Sequence, residues 1–324
     1  MLVSLTVALV SFLVGFAMKR GGLCTYAAVT QMVNEKRIER MMVFFGVAAW
    51  ATLILLPLHW MQPQDIALST THYNLLIAFV GGTVLGIGAF LNKGCFFGTF
   101  VALVSGNMNY LSTLVGLSVG VAFTQSYLTA IIPSTAEVSH VSMQSTSAYV
   151  WLIGMGMFAL FMFISVKLSD DSLLKKRTGL DILNWQSDFA MVTIGLGGAL
   201  LYATVSGWNY SDVLTNTTSN LIGKQAMGAS MMALIATVSM VIGGISAAVM
   251  SKEFSLHRIK WHVVLGCFSG GTLMGSASMF IPGGNDGLLL KGIPSLAPHA
   301  LVGYAFMLLS MLVLVCFFRN TQKS

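Results

Sequence analysis

Apolar residues dominate this chain in runs that are close to the length of a membrane-spanning helix. Nine such runs occupy residues 2–18, 41–60, 73–91, 111–131, 148–168, 188–204, 226–250, 261–281 and 298–318. About 20 apolar residues in a helix cross the hydrocarbon of a bilayer. The pattern therefore predicts an all-α, multi-pass membrane protein with about nine transmembrane helices.

Four shorter apolar pieces, each flanked by glycine, follow some of these runs. They occupy residues 23–33, 95–105, 209–218 and 285–291. They are too short to cross a bilayer, and broken backbone at membrane depth needs protein or a water-filled cavity for its hydrogen bonds. The sequence therefore predicts re-entrant half-helices whose ends meet near the middle of the protein.

One segment of the chain is repeated. Residues Gly81–Gly98 recur as Gly270–Gly287, 189 positions later. Five predicted spans separate the copies, so the second copy is expected to run in the opposite direction through the membrane. We expect a single transporter domain over residues 1–324, with an inverted pseudo-two-fold repeat. Repeat one covers about 1–131, a linking span covers 148–168, and repeat two covers about 188–318.

A second match between the two halves is weaker. Residues Gly15–Cys24 resemble Leu200–Asn209, although only one glycine coincides. The match fits the same inverted scheme.

Composition and charge place the chain in the membrane and orient it. Hydrophobic residues make up 56% and charged residues 9% of the chain, whereas soluble domains carry about 25% charge. Basic residues cluster in the loops 19–40, 167–187 and 251–260 and in the carboxyl tail, and only Lys224 and Lys291 fall on the other side. The positive-inside rule then puts the amino end outside and the carboxyl end in the cytoplasm. The first run lacks Lys or Arg before Met18 and is expected to be a retained span rather than a signal peptide.

The four cysteines are candidate functional groups. Cys24, Cys95, Cys267 and Cys316 have no Cys-x-x-Cys spacing, which argues against a zinc site or a disulfide framework. Cys95 follows Gly94 at the predicted start of a short helix, where backbone amides and the helix dipole attract anions. Cys24 has an analogous position. The alternative for each is a small packed side chain, which we favour for Cys316.

The glycines divide into two groups. Gly82 and Gly86, like Gly271 and Gly275, have the four-residue spacing that lets transmembrane helices pack closely. We interpret Gly94, Gly98, Gly283, Gly284 and Gly287 instead as part of a substrate pathway, because polar residues lie beside them at a predicted break.

Two of these neighbouring polar residues, Lys93 and Asp286, have open alternatives. Lys93 either compensates the charge of an anion or extends to the cytoplasmic interface. Asp286 is the only acid in the repeated motif and lies beside Asn285. Its expected partners are Lys291 or free amides, and it either caps a half-helix or carries a coupling proton.

Several classes of protein are excluded. The chain has no G-x-x-x-x-G-K-[ST] phosphate loop and no His-Glu-x-x-His helix. We predict no cofactor, no nucleic-acid partner and no enzymatic activity.

The segments Arg20–Cys24, Asn92–Gly98, Gly270–Gly275 and Pro282–Gly287 together resemble the YeeE/YedE family of bacterial sulfur transporters. The resemblance implies an inner-membrane importer, with thiosulfate as the cargo of characterised members, re-entrant helices and pathway cysteines. Cys24 and Cys95 match these cysteines by their motifs, and Cys267 is carried over with fewer matching neighbours. A cytosolic sulfur-carrier protein is a partner that the resemblance suggests.

This chain departs from the family pattern in its second half. It has Gly283 and Gly284 where a second Gly-Cys is expected, which leaves the cargo open to another sulfur-containing anion. We predict import of a small sulfur-containing anion, thiosulfate first, past Cys24, Cys95 and Cys267. The alternative is a membrane thiol oxidoreductase or sulfur-transfer protein that uses the same cysteines.

Overall fold

A computed structural model describes residues 2–62, 68–69, 75–128, 156, 182–205, 207–223, 228–281 and 283–321, and every regular element among them is helical. The helices before the central gap are α1 (Leu2–Arg20), α2 (Thr25–Glu35), α3 (Glu39–Met61), α4 (Leu75–Leu91), α5 (Phe96–Val104) and α6 (Leu111–Tyr127), with a 3₁₀ turn at Met108–Tyr110. Those after it are α7 (Ile182–Thr204), α8 (Tyr210–Leu221), α9 (Met231–Met250), α10 (Trp261–Phe280), α11 (Gly284–Gly287) and α12 (Pro298–Thr321), with a π-helical segment at Leu288–Gly292.

The described helices confirm a multi-pass membrane protein. Six apolar helical stretches are long enough to cross a bilayer, namely Val3–Glu35, Glu39–His59, Leu75–Val104, Met231–Met250, Trp261–Phe280 and Pro298–Arg319. Large apolar side chains on their outer surfaces, such as Leu5 (70% exposed) and Phe317 (66%), are suited to contact with lipid. The count of nine spans stays a prediction, because α6 and the apolar part of α7 are shorter and the span 148–168 lies outside the described residues apart from Gly156.

Short helices occur where the sequence predicts them. α2, α5, α8 and the pair formed by α11 and the π-helical segment coincide closely with the four predicted pieces. Glycine permits the sharp breaks that precede two of them: Gly22 has φ +56° before α2, and Gly283 has φ +87° before α11. Side chains rarely tolerate this left-handed backbone.

The long helices pack in pairs that cross between the two halves of the chain. α1 lies against α9 and α7, and α3 lies against α7. α4 lies against α12 and α10, and α6 lies against α10. Each half therefore depends on the other for most of its buried surface.

Glycine allows two of these helix pairs to approach closely. A methyl group added to Gly82 or Gly86 would overlap backbone of α12, and one added to Gly271 or Gly275 would overlap backbone of α6. No side chain fits at these four positions without separating the helices. The packing interpretation of both glycine pairs is confirmed.

Two contacts join basic residues near helix ends to other segments. Lys19 Nζ, at the end of α1, lies 2.7 Å from Glu253 Oε2 after α9. The Arg319 side chain at the end of α12 donates to the backbone carbonyl of Val33 in α2. The end of α1 thus lies beside the segment after α9, and the end of α12 lies beside α2.

We predict that Gly275→Ala destabilises the protein, because the added methyl group meets the α6 backbone. Overpacking of this kind costs about 1–3 kcal/mol, so the melting temperature in detergent should fall by several degrees. The matched control is Gly156→Ala, where nothing lies within 4 Å of the added methyl group. Equal melting temperatures for the two variants would contradict the packing argument.

Candidate functional site

Cys24 and Cys95 each occupy the residue immediately before a short helix, as the sequence predicts. Cys24 is the N-cap of α2 and Cys95 is the N-cap of α5, and both have extended backbone. Neither thiol caps its own helix. Instead, the backbone amide of Thr25, the first residue of α2, donates to Cys95 Sγ at 3.2 Å. One thiol thus satisfies the free amide of the neighbouring half-helix.

The two thiols are neighbours. The side chains of Cys24 and Cys95 interact with each other, and both are free thiols. Gly98, one turn into α5, lies directly against Cys24 Sγ, so any side chain at position 98 would collide with the sulfur. Gly94 has looser surroundings, with its nearest contacts at 3.5–3.6 Å from an added methyl group. The structure thus brings together four of the predicted site residues.

Asn285 joins the second half of the chain to this pair. The side chain is fully buried; its Oδ1 accepts from the backbone amide of Phe96 at 3.1 Å, and its Nδ2 donates to Thr25 Oγ1 at 3.4 Å. A single amide side chain in α11 thus contacts the first residues of both α2 and α5.

Gly284 lies opposite the thiols and has no room for a side chain. It has φ +56°, and an added methyl group would lie 2.5 Å from the ring of Phe96. This contact gives a physical reason why the second half of the chain has no Gly-Cys here. A cysteine side chain at position 284 would displace the Phe96 ring. The thiols therefore lie on one side of the meeting point only.

Asp286 has one of its two expected kinds of partner. Its side chain is 4% exposed, and its Oδ2 lies 3.0 Å from Ser211 Oγ in α8. The backbone amides of Asp286 and Gly287 interact with its carboxyl group, as one of the two alternatives predicts. Lys291, the other alternative, interacts electrostatically with Asp212 in α8.

The start of α8 contributes residues that sequence reasoning missed. Asn209 caps α8 by accepting from the Asp212 amide at 2.8 Å, and the Tyr210 hydroxyl donates to the Phe96 carbonyl at 2.5 Å. Two signals pointed here: Asn209 has the spacing of a helix N-cap to Asp212, and it aligns with Cys24 in the weaker internal match. The amino ends of α2, α5, α8 and α11 therefore converge.

Lys93 and Cys267 form a second group away from these two thiols. Cys267 is 2% exposed in α10 and interacts with Lys93 and Thr113, whereas Lys93 itself is exposed. The Tyr110 ring lies near Gly94, 3.6 Å from an added methyl group, and its side chain interacts electrostatically with both Cys24 and Cys267.

Asn92 fixes the break between α4 and α5, beside Lys93. Its Nδ2 donates to the Gly94 carbonyl at 2.7 Å and to Thr99 Oγ1 at 2.8 Å, and its Oδ1 accepts from Thr113 Oγ1 at 2.7 Å. These bonds replace the helical bonds that the break removes.

A multi-pass helical protein with broken helices that meet at a buried polar centre belongs to the transporter class. A model of the sulphur transport family matches residues 20–313, and this chain belongs to that family, as its resemblance to the YeeE/YedE family predicts. It is similar to the thiosulfate transporter TsuA of Spirochaeta thermophila, with 24% identity over 339 residues that cover 93% of this chain and 94% of the relative. The family consists of transporters, so the prediction of a non-enzyme is confirmed.

We predict that Asn285→Ala destabilises the meeting point of the short helices, because it leaves the buried Phe96 amide without its acceptor. An unsatisfied buried group costs about 1–3 kcal/mol, which thermal unfolding in detergent would detect. Asn34→Ala, at an exposed position near the end of α2, is the matched control and should be neutral. If both variants melt like the wild type, Asn285 does not hold the helices together.

Proposed function

We propose that the protein imports a small sulfur-containing anion, with thiosulfate as the first candidate, past Cys24 and Cys95. The observation that carries this proposal is the convergence of the amino ends of α2 and α5, each preceded by a cysteine, where the Thr25 amide donates to the Cys95 thiol. The positive ends of the helix dipoles favour an anion there. The name of the similar transporter supports thiosulfate as the cargo.

The chemistry of the thiols suits a soft anion that must also leave. A thiol is a weak hydrogen-bond donor and its sulfur is polarisable. Conduction needs sites that bind well enough to admit the anion and weakly enough to release it. Hydrogen bonding from Cys24 and Cys95 meets both needs without covalent exchange.

The proposed pathway continues from these thiols towards Cys267 and Lys93. Tyr110 interacts with both groups, and the exposed Lys93 ammonium would compensate the charge of the leaving anion. Gly98 lets the Cys24 thiol lie directly against α5, and Gly94 has looser surroundings. Residues Gly284, Asn285 and Asp286 form the facing wall.

The inverted repeat and its single transporter domain are part of the same proposal. The hydrogen bond from the Phe96 amide to Asn285 Oδ1 joins residues 189 positions apart, which is the offset between the two copies of the repeated motif. Residues related by a two-fold axis contact each other only when they lie close to the axis. The packing of the long helices supports the same symmetry. The pair α1–α9 corresponds to the pair α7–α3 in the repeat, and the pair α4–α12 corresponds to the pair α10–α6.

We propose that the basic end of the bundle faces the cytoplasm of a bacterial inner membrane. Lys19 at the end of α1 pairs with Glu253 after α9, in the same segment as Arg258, and Arg319 at the end of α12 contacts the end of α2. The positive-inside rule then leaves the amino end outside. A cytosolic sulfur-carrier protein, if one receives the cargo, would approach this end.

A thiol oxidoreductase or sulfur-transfer function is the second candidate, and the interaction between the two thiols favours it. In such a protein the cysteines would form a disulfide or persulfide during each cycle. Serine cannot replace cysteine in that chemistry, whereas a hydroxyl still donates a hydrogen bond to a passing anion. The two functions therefore differ in their response to Cys→Ser variants.

We predict that Cys95→Ala and Cys24→Ala lose most thiosulfate uptake, because each removes a hydrogen-bond donor from the meeting point. Initial rates with radiolabelled thiosulfate in proteoliposomes measure this, and growth of a sulfur auxotroph on thiosulfate gives a second readout. Cys316→Ala, at the end of α12, is the matched control and should transport normally.

The serine variants separate the two candidate functions. Cys95→Ser should keep part of the uptake if the thiol only donates a hydrogen bond. Complete loss in Cys95→Ser, with chemically altered thiosulfate produced by the wild type, would favour the oxidoreductase. Equal uptake by Cys24→Ala, Cys95→Ala and the wild type would refute the thiol pathway.

We predict that Gln62→Cys and Leu256→Cys are labelled from opposite sides of the membrane. Both positions are exposed. Gln62 follows α3 on the proposed outer side, and Leu256 lies between α9 and α10 on the proposed cytoplasmic side. A membrane-impermeant maleimide should label Gln62→Cys in spheroplasts and Leu256→Cys only in inverted vesicles. The wild type, with its own cysteines, gives the background. The reverse pattern would invert the proposed orientation.

A further inference from the structure

Asp286 is a buried acid without a basic partner. The ion pairs among the described residues are Lys19–Glu253 and Arg37–Glu39, and neither involves it. Its Oδ1 is buried and makes no well-aligned hydrogen bond among the described residues, although the backbone amides of Asp286 and Gly287 interact with the carboxyl group. Its Oδ2 has Ser211 Oγ at 3.0 Å. Burial of an unpaired carboxylate is strongly unfavourable, whereas the neutral acid needs less compensation.

The hydrogen bonds around Ser211 indicate where the proton lies. Asn209 Oδ1 accepts from the backbone amide of Asp212 at 2.8 Å, which fixes the orientation of the Asn209 amide group. The Asn209 oxygen also lies 2.7 Å from Ser211 Oγ, and an amide oxygen only accepts, so the Ser211 hydroxyl must donate to it.

A hydroxyl has one hydrogen, and Ser211 has two oxygen neighbours. With its hydrogen directed at Asn209, Ser211 offers only a lone pair to Asp286 Oδ2. The contact at 3.0 Å is then a hydrogen bond only if Asp286 supplies the hydrogen. The geometry therefore matches a protonated Asp286.

We propose that Asp286 binds a proton that crosses the membrane with the imported anion, which makes the protein a proton–anion symporter. The inference rests on the proposed anion pathway and names its energy source. The carboxyl group of Asp286 takes up the proton on the outer side and releases it on the cytoplasmic side, as carboxylic acid and carboxylate in turn. No other bond forms or breaks.

The position of Asp286 next to the anion pathway provides the coupling. Asn285, the residue before Asp286, accepts from the amide of Phe96, the residue after Cys95. It also donates to the hydroxyl of Thr25, the residue after Cys24. The acid is therefore one residue away from a side chain that contacts the neighbours of both thiols. An anion at the thiols repels a carboxylate at Asp286 and tolerates the neutral acid. Proton binding and anion binding at these two places therefore favour each other, as linkage requires.

Other titratable groups also face Asp286. α8 contributes Asp212 and Tyr210, and α7 contributes Tyr202, which accepts from Asn209 at 2.7 Å. Asp212 is half-buried and has Lys291 as a counter-charge, which distinguishes it from Asp286. Of these two acids, Asp286 has no basic partner, and Asp286 is the one that lies beside the thiols.

The test uses purified protein in vesicles whose membrane potential is held near zero with valinomycin and equal potassium. Addition of thiosulfate to wild-type vesicles filled with pyranine should acidify the lumen. An inward proton gradient of one pH unit should raise the accumulation ratio about tenfold for each proton carried, since one pH unit is about 1.4 kcal/mol. Lack of acidification during measured uptake would overturn the proposal.

Asp286→Asn replaces the protonated acid with a neutral side chain of the same shape that still donates to Ser211. We expect this variant to exchange labelled for unlabelled thiosulfate without a gradient and to lose the gradient-driven accumulation. Accumulation that persists in Asp286→Asn would overturn the role of Asp286, and so would the loss of exchange. Glu35→Gln, an exposed acid in α2, is the control and should behave like the wild type.

Exchange in the wild type separates the two proposals. If wild-type vesicles do not exchange thiosulfate at all, the proposed cargo is wrong. If they exchange it but the pH gradient has no effect, the cargo stands and proton coupling is refuted.

Discussion

The structure depends on how backbone amides at the broken helices find partners inside the protein. The first amides of a helix have no partner within that helix, and lipid offers none. Here the amide of Thr25 donates to the Cys95 thiol, and the amide of Phe96 donates to the Asn285 side chain. The amino ends of α2 and α5 are each capped by a side chain from another short helix or its N-cap, and the cap from Asn285 forms only when the two halves of the chain meet.

The same constraint explains the close packing of the long helices. The cross-caps are 3.1 and 3.2 Å long, so the amino ends must approach within a hydrogen bond of one another. Glycine pairs in α4 and α10 let these helices lie directly against the backbone of α12 and α6. The repeated motif thus combines close packing in its first part with a break and a polar cap in its second.

Much of this architecture could be predicted from the sequence because its signals are local. Glycine marks the breaks, and the four short helices and the caps at Cys24 and Cys95 occur where these signals place them. The partner of Asp286 was not predictable, because Ser211 is 75 residues away and nothing in its neighbourhood identifies a partner. Asn209 was missed for a similar reason: an N-cap asparagine is common, and only the fold shows that α8 starts beside α11.

The two copies of the repeat differ chemically where they face each other. The first copy has Cys95 and the buried aromatic Phe97, and the second has Gly284 and the buried acid Asp286 at the corresponding positions. A symmetric pair of thiols would bind an anion equally from both sides. In the proposed pathway, weak donors on one wall and a titratable acid on the other would give the anion partners that change with protonation. The Phe96 ring, packed against Gly284, preserves this difference because it leaves no space for a second thiol. The direction of transport and its coupling to protons can thus arise from two positions within an otherwise repeated set of helices.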